Sequence, residues 1–246
     1  MVDLHHGPRF RFVEAGFETL EPDFGRPRHA HLAAYASVII KAGYDQASYA
    51  GRMRLQPGDI VIQPSLDRHE SLPQFRKTLK VLRLPWRWDT GVGGVIRPAD
   101  VDHIIRTAER DLVEAEGMLE AQAASAEFVP RGLFDWPDLL ARDLLDGREM
   151  LAAWAERHGL ARETVARGFR QAFGVAPSTF RIEARTRKAW ALILKGNEPL
   201  AGIAIETGFA DQAHMTRAIG ALTGLSPAAW RRVSFPISAS HPRSDR

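Results

Sequence analysis

Residues 199–227 read PLAGIAIETGFADQAHMTRAIGALTGLSP, and the reading of this stretch decides the rest. Leu200, Ile203 and Ala204 recur at i, i+3 and i+4, so they share one face of a helix. Gly208 follows; glycine adopts the left-handed backbone that stops a helix and reverses the chain. Asp211 then has the chemistry of an N-cap for a second helix. Met215, Ile219 and Leu222 fall on the buried side of that helix, and Gln212, Ala213, His214 and Arg217 on the other. The pattern is a helix-turn-helix whose second helix offers amide, imidazole and guanidinium groups outward. Such groups match the base edges of a DNA major groove.

One helical hairpin is a weak signal, but the pattern occurs twice. Residues 150–173 read MLAAWAERHGLARETVARGFRQAF. Leu151, Trp154 and Ala155 make the first apolar face, Gly159 the turn, and Val165, Phe169 and Phe173 the second face. Arg162, Glu163, Arg167 and Arg170 remain for the exterior. Gly168 inside the second helix is expected to weaken it by up to about 1 kcal/mol. Between the two units, Ser178–Lys195 predicts a helix capped by Ser178 and stopped at Gly196. At 1.5 Å per residue it spans about 26 Å. A strut of that length sets two recognition helices roughly one DNA turn apart, about 34 Å.

Two helix-turn-helix units joined by a central helix resemble the AraC/XylS family of transcription regulators. The residues that carry the resemblance are GLARETVARGFRQAFGVAPSTF (Gly159–Phe180), GFADQAHMTRAIGALTGLSPAAWRR (Gly208–Arg232) and the Arg/Lys-rich helix between them. The resemblance covers about 100 C-terminal residues. The chain departs from the family at Met215 and Ile219, where phenylalanine is usual; both residues are still apolar. The resemblance implies base reading by Arg162, Glu163, Arg167 and Arg170 in the first unit. In the second it implies Gln212, Ala213, His214 and Arg217. Arg suits guanine, Gln adenine, Glu cytosine N4, and the Ala213 methyl a thymine methyl. Arg181, Arg185, Arg187, Lys188 and Lys195 on the connecting helix are candidates for phosphate contacts.

The 246 residues suffice for two modest domains. There is no cysteine, which excludes disulfides and thiolate metal sites. No apolar run approaches the roughly 18 residues of a membrane span, and the N-terminus does not read as a signal segment, so cytoplasm is the expected location. The net charge of +3 is unevenly placed: residues 131–246 hold 17 basic and 12 acidic side chains. A basic C-terminal half fits a polyanion partner.

Residues 1–97 read as β-rich. Apolar runs occur at Phe10–Val13, Leu32–Ile40, Ile60–Ile62 and Leu79–Leu84, separated by turn signals such as Pro57-Gly58-Asp59. Short strands at that spacing predict a sandwich or small barrel. The Pro-Gly-Asp turn, with His29-x-His31 upstream and His69 downstream, resembles the cupin barrel, a common sensor domain in AraC-type regulators. His29, His31, Tyr35 and His69 are the candidate effector-binding residues. Imidazole nitrogens also suit zinc, iron, nickel or copper. A metal cupin adds a carboxylate, however. Tyr35 stands near its place, and Glu70, next to His69, would point away. No metal or cofactor is assigned on the sequence. His5-His6 reads as a flexible-end feature, and Trp86 and Trp88 as packing residues.

Pro98–Ala124 reads as one long helix in which Val101, Ile105, Ala108, Leu112, Ala115 and Leu119 form a heptad seam. A seam that narrow suits a partner helix, and by the resemblance it predicts a homodimer contact; packing on the chain's own barrel is the competing reading. Ala121–Gly132 reads as a linker, Leu133–Leu145 as the first helix of the DNA-binding domain, and Ser234–Arg246 as a disordered tail. The expected organisation is an α+β multidomain chain. It has a small cupin-like sensor β-barrel (1–97), a dimerisation helix and linker (98–132), an all-α double helix-turn-helix domain (133–233) and a tail (234–246). The expected function is a homodimeric, effector-responsive transcription regulator that binds double-stranded DNA. By the resemblance it is an activator, and so a partner of RNA polymerase; no enzyme activity and no membrane partner are expected. The alternative is a metal-dependent cupin enzyme with an accessory helical domain. No Ser/His/Asp, Walker or dinucleotide motif supports other chemistry.

Overall fold

A computed structural model describes residues 13–23, 25–73, 77–130, 132–146 and 150–232. The Phe10–Val13 run (Val13 apart), His5-His6 and the Ser234–Arg246 tail lie outside them. Nine strands come first: β1 (Gly16–Leu20), β2 (Arg26–His29), β3 (Tyr35–Lys41), β4 (Tyr44–Ser48), β5 (Gly51–Leu55), β6 (Ile60–Gln63), β7 (His69–Pro73), β8 (Leu79–Pro85) and β9 (Gly94–Ile96). They form two sheets, ordered β1-β8-β3-β6-β9 and β2-β7-β4-β5, with every pairing antiparallel.

The period of two in each strand decides which layer a side chain enters. Ile39, Val61, Leu79 and Val81 of the five-stranded sheet meet Tyr44, Met53 and Leu55 of the four-stranded sheet between the two. Their strand neighbours Val38, Ile60, Ile62, Leu82 and Leu84 point the other way, onto helices. The Pro57-Gly58-Asp59 turn is closed by Asp59, whose carboxylate accepts from Gln56 N at 2.9 Å.

Those helices are α1 (Val101–Ala108) and α2 (Leu112–Ala123), which replace the single expected helix. The chain breaks at residues 109–111 because Asp111 starts a new helix, accepting from the backbone N–H of Val113 and Glu114. α1 likewise starts after Asp100, which caps His103 N, and not at Pro98. The heptad seam is therefore covered in part by the chain's own sheet. Ala108, Ala115 and Leu119 are buried on the five-stranded sheet, with Val101, Ile105 and Leu112 packed beside them. The competing reading, intrachain packing, describes this seam. The stretch expected as a linker is strapped to the sheets: Val129 N donates to Val95 O at 2.7 Å, and Phe128 and Gly132 form isolated bridges with Ile96 and Met53.

The helical half comprises α3 (Trp136–Asp146), α4 (Leu151–Arg157), α5 (Arg162–Phe173), α6 (Pro177–Lys195), α7 (Leu200–Glu206), α8 (Gln212–Thr223) and α9 (Pro227–Arg232). α6 begins at Pro177 with Ala176 as N-cap, in place of the expected Ser178 cap; proline's fixed φ and missing N–H suit the first helical position. Gly196 ends it in extended backbone (φ −161°), so the helix stops without a left-handed cap. Gly159 (φ 63°) and Gly208 (φ 78°) make the two left-handed turns.

Each helix-turn-helix has its own core. Around α4 and α5, Trp154, Val165, Phe169, Phe173 and Phe180 pack with Leu140 and Leu144 of α3, and with Ala47 of β4 and Tyr49 of the turn after it. Around α7 and α8, Trp190, Ile193, Ile203, Met215, Ile219 and Trp230 close over Leu66, which comes from the loop between β6 and β7. Gly168 has a packing reason: a Cβ there would stand 2.5 Å from the Trp136 ring. The molecule is thus layered as α1 and α2, five-stranded sheet, four-stranded sheet, helical domain.

Candidate nucleic-acid interface and histidine cluster

The apolar stripe of α5 (Val165, Phe169, Phe173) is fully buried. A 3.6-residue period then leaves Arg162, Glu163, Arg167 and Arg170 on the opposite side, and all four are exposed. α8 repeats the arrangement: Met215 and Ile219 are fully buried, while Gln212, Ala213 and Arg217 are exposed. His214 differs. It is half-buried, with its ring 5.2 Å from that of Phe209 and its backbone N–H held by Asp211 at 2.6 Å. The strut between the units is 19 residues, about 28 Å at the helical rise.

The connecting-helix cations divide. Lys195 is exposed, and Lys188 lies 3.9 Å from Glu206. Arg185 donates to Gly208 O at 2.7 Å, bracing the turn of the second unit. Arg187 turns to the sheets and donates to Ser65 O at 2.9 Å and Gly91 O at 2.6 Å. Arg185 and Arg187 are therefore corrected from candidate phosphate contacts to structural contacts: their hydrogen bonds are made within the chain.

Within the sheet domain His29, His31, Tyr35 and His69 come together. His29 and His69 are directly paired across β2 and β7, and His31 follows β2 by two residues. One ring nitrogen from each histidine lies within 4.8 Å of the others. His29 Nε2 is 3.1 Å from His31 Nε2, and Tyr35 Oη is 3.4 Å from His69 Nε2. The remaining nitrogens of two rings face carbonyls: His29 Nδ1 donates to Pro27 O at 2.9 Å, and His69 Nδ1 to Asp67 O at 3.0 Å. A carbonyl only accepts, so these contacts fix the protons on Nδ1. Burial, helped by the two neighbouring histidines, holds His69 well below its ordinary value. Burial also raises the Tyr35 phenol, and pushes Tyr44 up to about 12. His29, Tyr35 and His69 line a cavity of about 20 Å³, room for roughly one water molecule. Arg26 and Arg83 also line it, both paired with Glu18. Glu70 does point away from it, reaching toward Gly174 at the end of α5.

The residues that sequence reasoning missed sit one position from the histidines. Arg28 and Arg68 face the helical domain and clasp Glu183 of α6, at 3.0 and 2.6 Å. Glu183 is buried, and the Arg28 side chain is 6% exposed. The Tyr49 hydroxyl adds a long contact of 3.5 Å to the same carboxylate. Arg52 makes a second bridge, to Asp138 at 2.8 Å and to Asp135. The one signal in the sequence was the Arg-His dipeptide, which occurs at 28–29 and 68–69 in the β-rich half and once more at 157–158. In a strand, that order sends histidine to one face and arginine to the other.

Among known families, the model of a helix-turn-helix domain matches residues 154–233. No curated protein matches the chain. Among solved structures, the DNA-binding domain of AdpA, determined in complex with a target DNA, is 25% identical. The match covers 40% of this chain and 91% of that one, with a TM-score of 0.37. The C-terminal domain of AraT, a response regulator from Geobacillus stearothermophilus, is 21% identical over 45% of this chain and 92% of its own (TM-score 0.36). ToxT from Vibrio cholerae, with an unsaturated fatty acid bound, is 10% identical over 89% and 94% (TM-score 0.37). No helix of the described residues is long and apolar enough to cross a membrane.

Proposed function

We propose that the helix-turn-helix domain at residues 154–233 is the DNA-binding part of an effector-responsive transcription regulator of the AraC type that reads DNA with both units. The readers are Arg162, Glu163, Arg167 and Arg170 on α5, and Gln212, Ala213, His214 and Arg217 on α8. The observation that carries the reading is the sidedness of α5 and α8. Each buries an apolar stripe completely and leaves its polar side uncovered by the sheets. A face built only for packing has no need to carry three arginines and a glutamate in that register. In the major groove these types match guanine, adenine and cytosine edges.

The double sheet is the sensor, and His29, His31, Tyr35 and His69 form its site. The sensor rests on α6 through the Glu183 clasp and inserts Leu66 into the second unit. An effector with different affinity for two arrangements of these contacts shifts the population between them, and with it the presentation of the readers. Binding as a homodimer and recruitment of RNA polymerase by an activator belong to the same reading. The seam through Ile105 and Leu112 packs in part on the chain's own sheet and leaves both side chains half-buried.

The test is selection of bound genomic fragments by the full chain, followed by mobility-shift titration on the selected site. A reproducible site whose affinity falls in both Arg167→Ala and Arg217→Ala supports two-unit reading. Equal affinity of parent and both variants would refute it.

A further inference from the structure

We propose that the sheet domain grips α6 at its midpoint and so fixes the angle between the two recognition helices. Glu183 and Arg187 are then positioning residues that restrict the chain to one spacing between the two halves of its DNA site. The spacing, though not the grip, rests on the regulator reading.

Among the described residues the two helical cores share no side chain. Phe180 of α6 belongs to the first, and Ala189, Trp190 and Ile193 to the second. The turns of α6 between them carry the angle from one unit to the other. At the centre of the helix stands Thr186, buried, whose hydroxyl donates to Ile182 O at 2.7 Å. A threonine bonded back to the i−4 carbonyl weakens a helix slightly and bends it. The strut is therefore softest at its middle, where an outside grip has most leverage.

The sheet domain holds α6 on both sides of that residue. Before it, Arg28 Nε donates to Glu183 Oε2 at 3.0 Å, and Arg68 Nη1 donates to Oε1 at 2.6 Å. With both oxygens engaged from different segments, the carboxylate has one orientation. After it, Arg187 Nε donates to Ser65 O at 2.9 Å, and Nη2 to Gly91 O at 2.6 Å. Those carbonyls belong to different loops. Asp89 ties the loops together by accepting from Ser65 N and Gly91 N, each at 3.0 Å. Glu183 and Arg187 stand four residues apart, so both gripped side chains leave one face of α6.

The grip serves direction more than stability. The Arg28 side chain is 6% exposed, yet its terminal nitrogens find no acceptor among the described residues. The guanidinium carbon lies 5.3 and 5.4 Å from the ring centres of Tyr49 and Phe180. A buried ion pair with donors left over gains little net free energy; what it imposes is geometry. Arg52 anchors α3 through Asp138, and Leu66 anchors the second core, so both units are referred to the same sheets. One base pair added between two half-sites turns them by about 35° and separates them by about 3.4 Å. A gripped strut does not follow that change.

The chain has no cysteine, so spin labels on Gln171→Cys and Ala213→Cys, both exposed, report on α5 and α8 alone. Pulsed electron resonance on the full chain should give one narrow distance distribution. In Arg28→Met/Glu183→Met/Arg187→Met, apolar side chains of similar length replace the charges, a change that conserves folding. The distribution should then broaden or split. An unchanged narrow distribution overturns the grip. If the triple variant does not fold, Arg187→Met, at a half-buried position, is read by the same rule.

On DNA, the site selected by the full chain is remade with one base pair inserted, or one removed, between its halves. Parent affinity should fall at least about tenfold for each. That of the triple variant should fall less than about threefold, with base preference within each half retained. Equal spacing penalties in parent and variant overturn the positioning role, and so does a parent indifferent to spacing. A chain whose labels respond as expected but which selects no DNA site leaves the grip standing and refutes the regulator reading.

Discussion

The two helix-turn-helix units share a plan but lean on different supports. The first completes its core against several residues: Leu140 and Leu144 of α3, Ala47 of β4 and Tyr49 of the turn after it. The second is closed by one inserted side chain, Leu66, whose own backbone is left-handed (φ 56°) and fully buried. A β-carbon makes that conformation unfavourable by about 1–2 kcal/mol, so the surrounding packing has to hold it. The helix starts differ as well. Asp211 caps α8 with its carboxylate, whereas α5 begins after Ala161 with no side-chain cap. The first unit is steadied by area and the second by two specific side chains. The second is therefore the one that a small displacement in the sensor can reach.

Leu66→Ala should have the largest effect. Truncating a fully buried leucine costs about 2–5 kcal/mol, read as a lower midpoint in denaturant. Its loss should deprotect amides of α7 and α8 in hydrogen exchange more than those of α4 and α5. Equal deprotection of both units would erase the contrast drawn above.

Gly168→Ala sharpens it from the other side. Helix propensity alone forecasts a gain of about 1 kcal/mol. The Trp136 ring in the way predicts an overpacking loss of about 1–3 kcal/mol, seen in thermal or denaturant unfolding. A more stable variant would show that α3 yields and that the first unit is not rigidly backed.

Arg217→Ala should weaken binding to the selected DNA site by about 1–3 kcal/mol and relax preference at one base position. Arg167→Ala should do so at a different position, about one DNA turn away. Loss at a single shared position would mean that only one unit reads.

The smallest expected effect concerns the caps. Asp211→Ala should cost about 1 kcal/mol, and Ala161→Asp should add a similar stability to the first unit. Opposite signs in a pair of melting curves are the result to look for.

The helical half was legible because its instructions are local. Gly159 and Gly208 announce their turns, and the stripes Val165-Phe169-Phe173 and Met215-Ile219-Leu222 announce their faces. Nothing beyond a few turns of helix is needed to read either. Around the histidines, residue types were informative, and His29, His31, Tyr35 and His69 do meet. The strands themselves were harder. β2 (RPRH), β4 (YDQAS) and β5 (GRMRL) carry too little apolar alternation to stand out. Their backbones are recruited by pairing with distant partners, as β4 is by β5 and β7. The heptad seam misled for a related reason: a period of 3.5 shows that a stripe is buried but not what covers it. Asp111, an N-cap lying between two helical stretches, was the clue to the break.

The sequence by itself determined the double helix-turn-helix, the sidedness of its recognition helices and the β-rich character of the first domain. These follow from short-range periodicity and from backbone preferences at single glycines. Only the tertiary structure decided that Arg28 and Arg68 close on Glu183, that Leu66 enters the second unit, that Arg187 turns inward and that the α1–α2 seam lies on its own sheet. Those contacts join residues tens to more than a hundred positions apart. Charge and apolarity along the chain state that such groups need partners. Which partner each finds is fixed by how the layers stack.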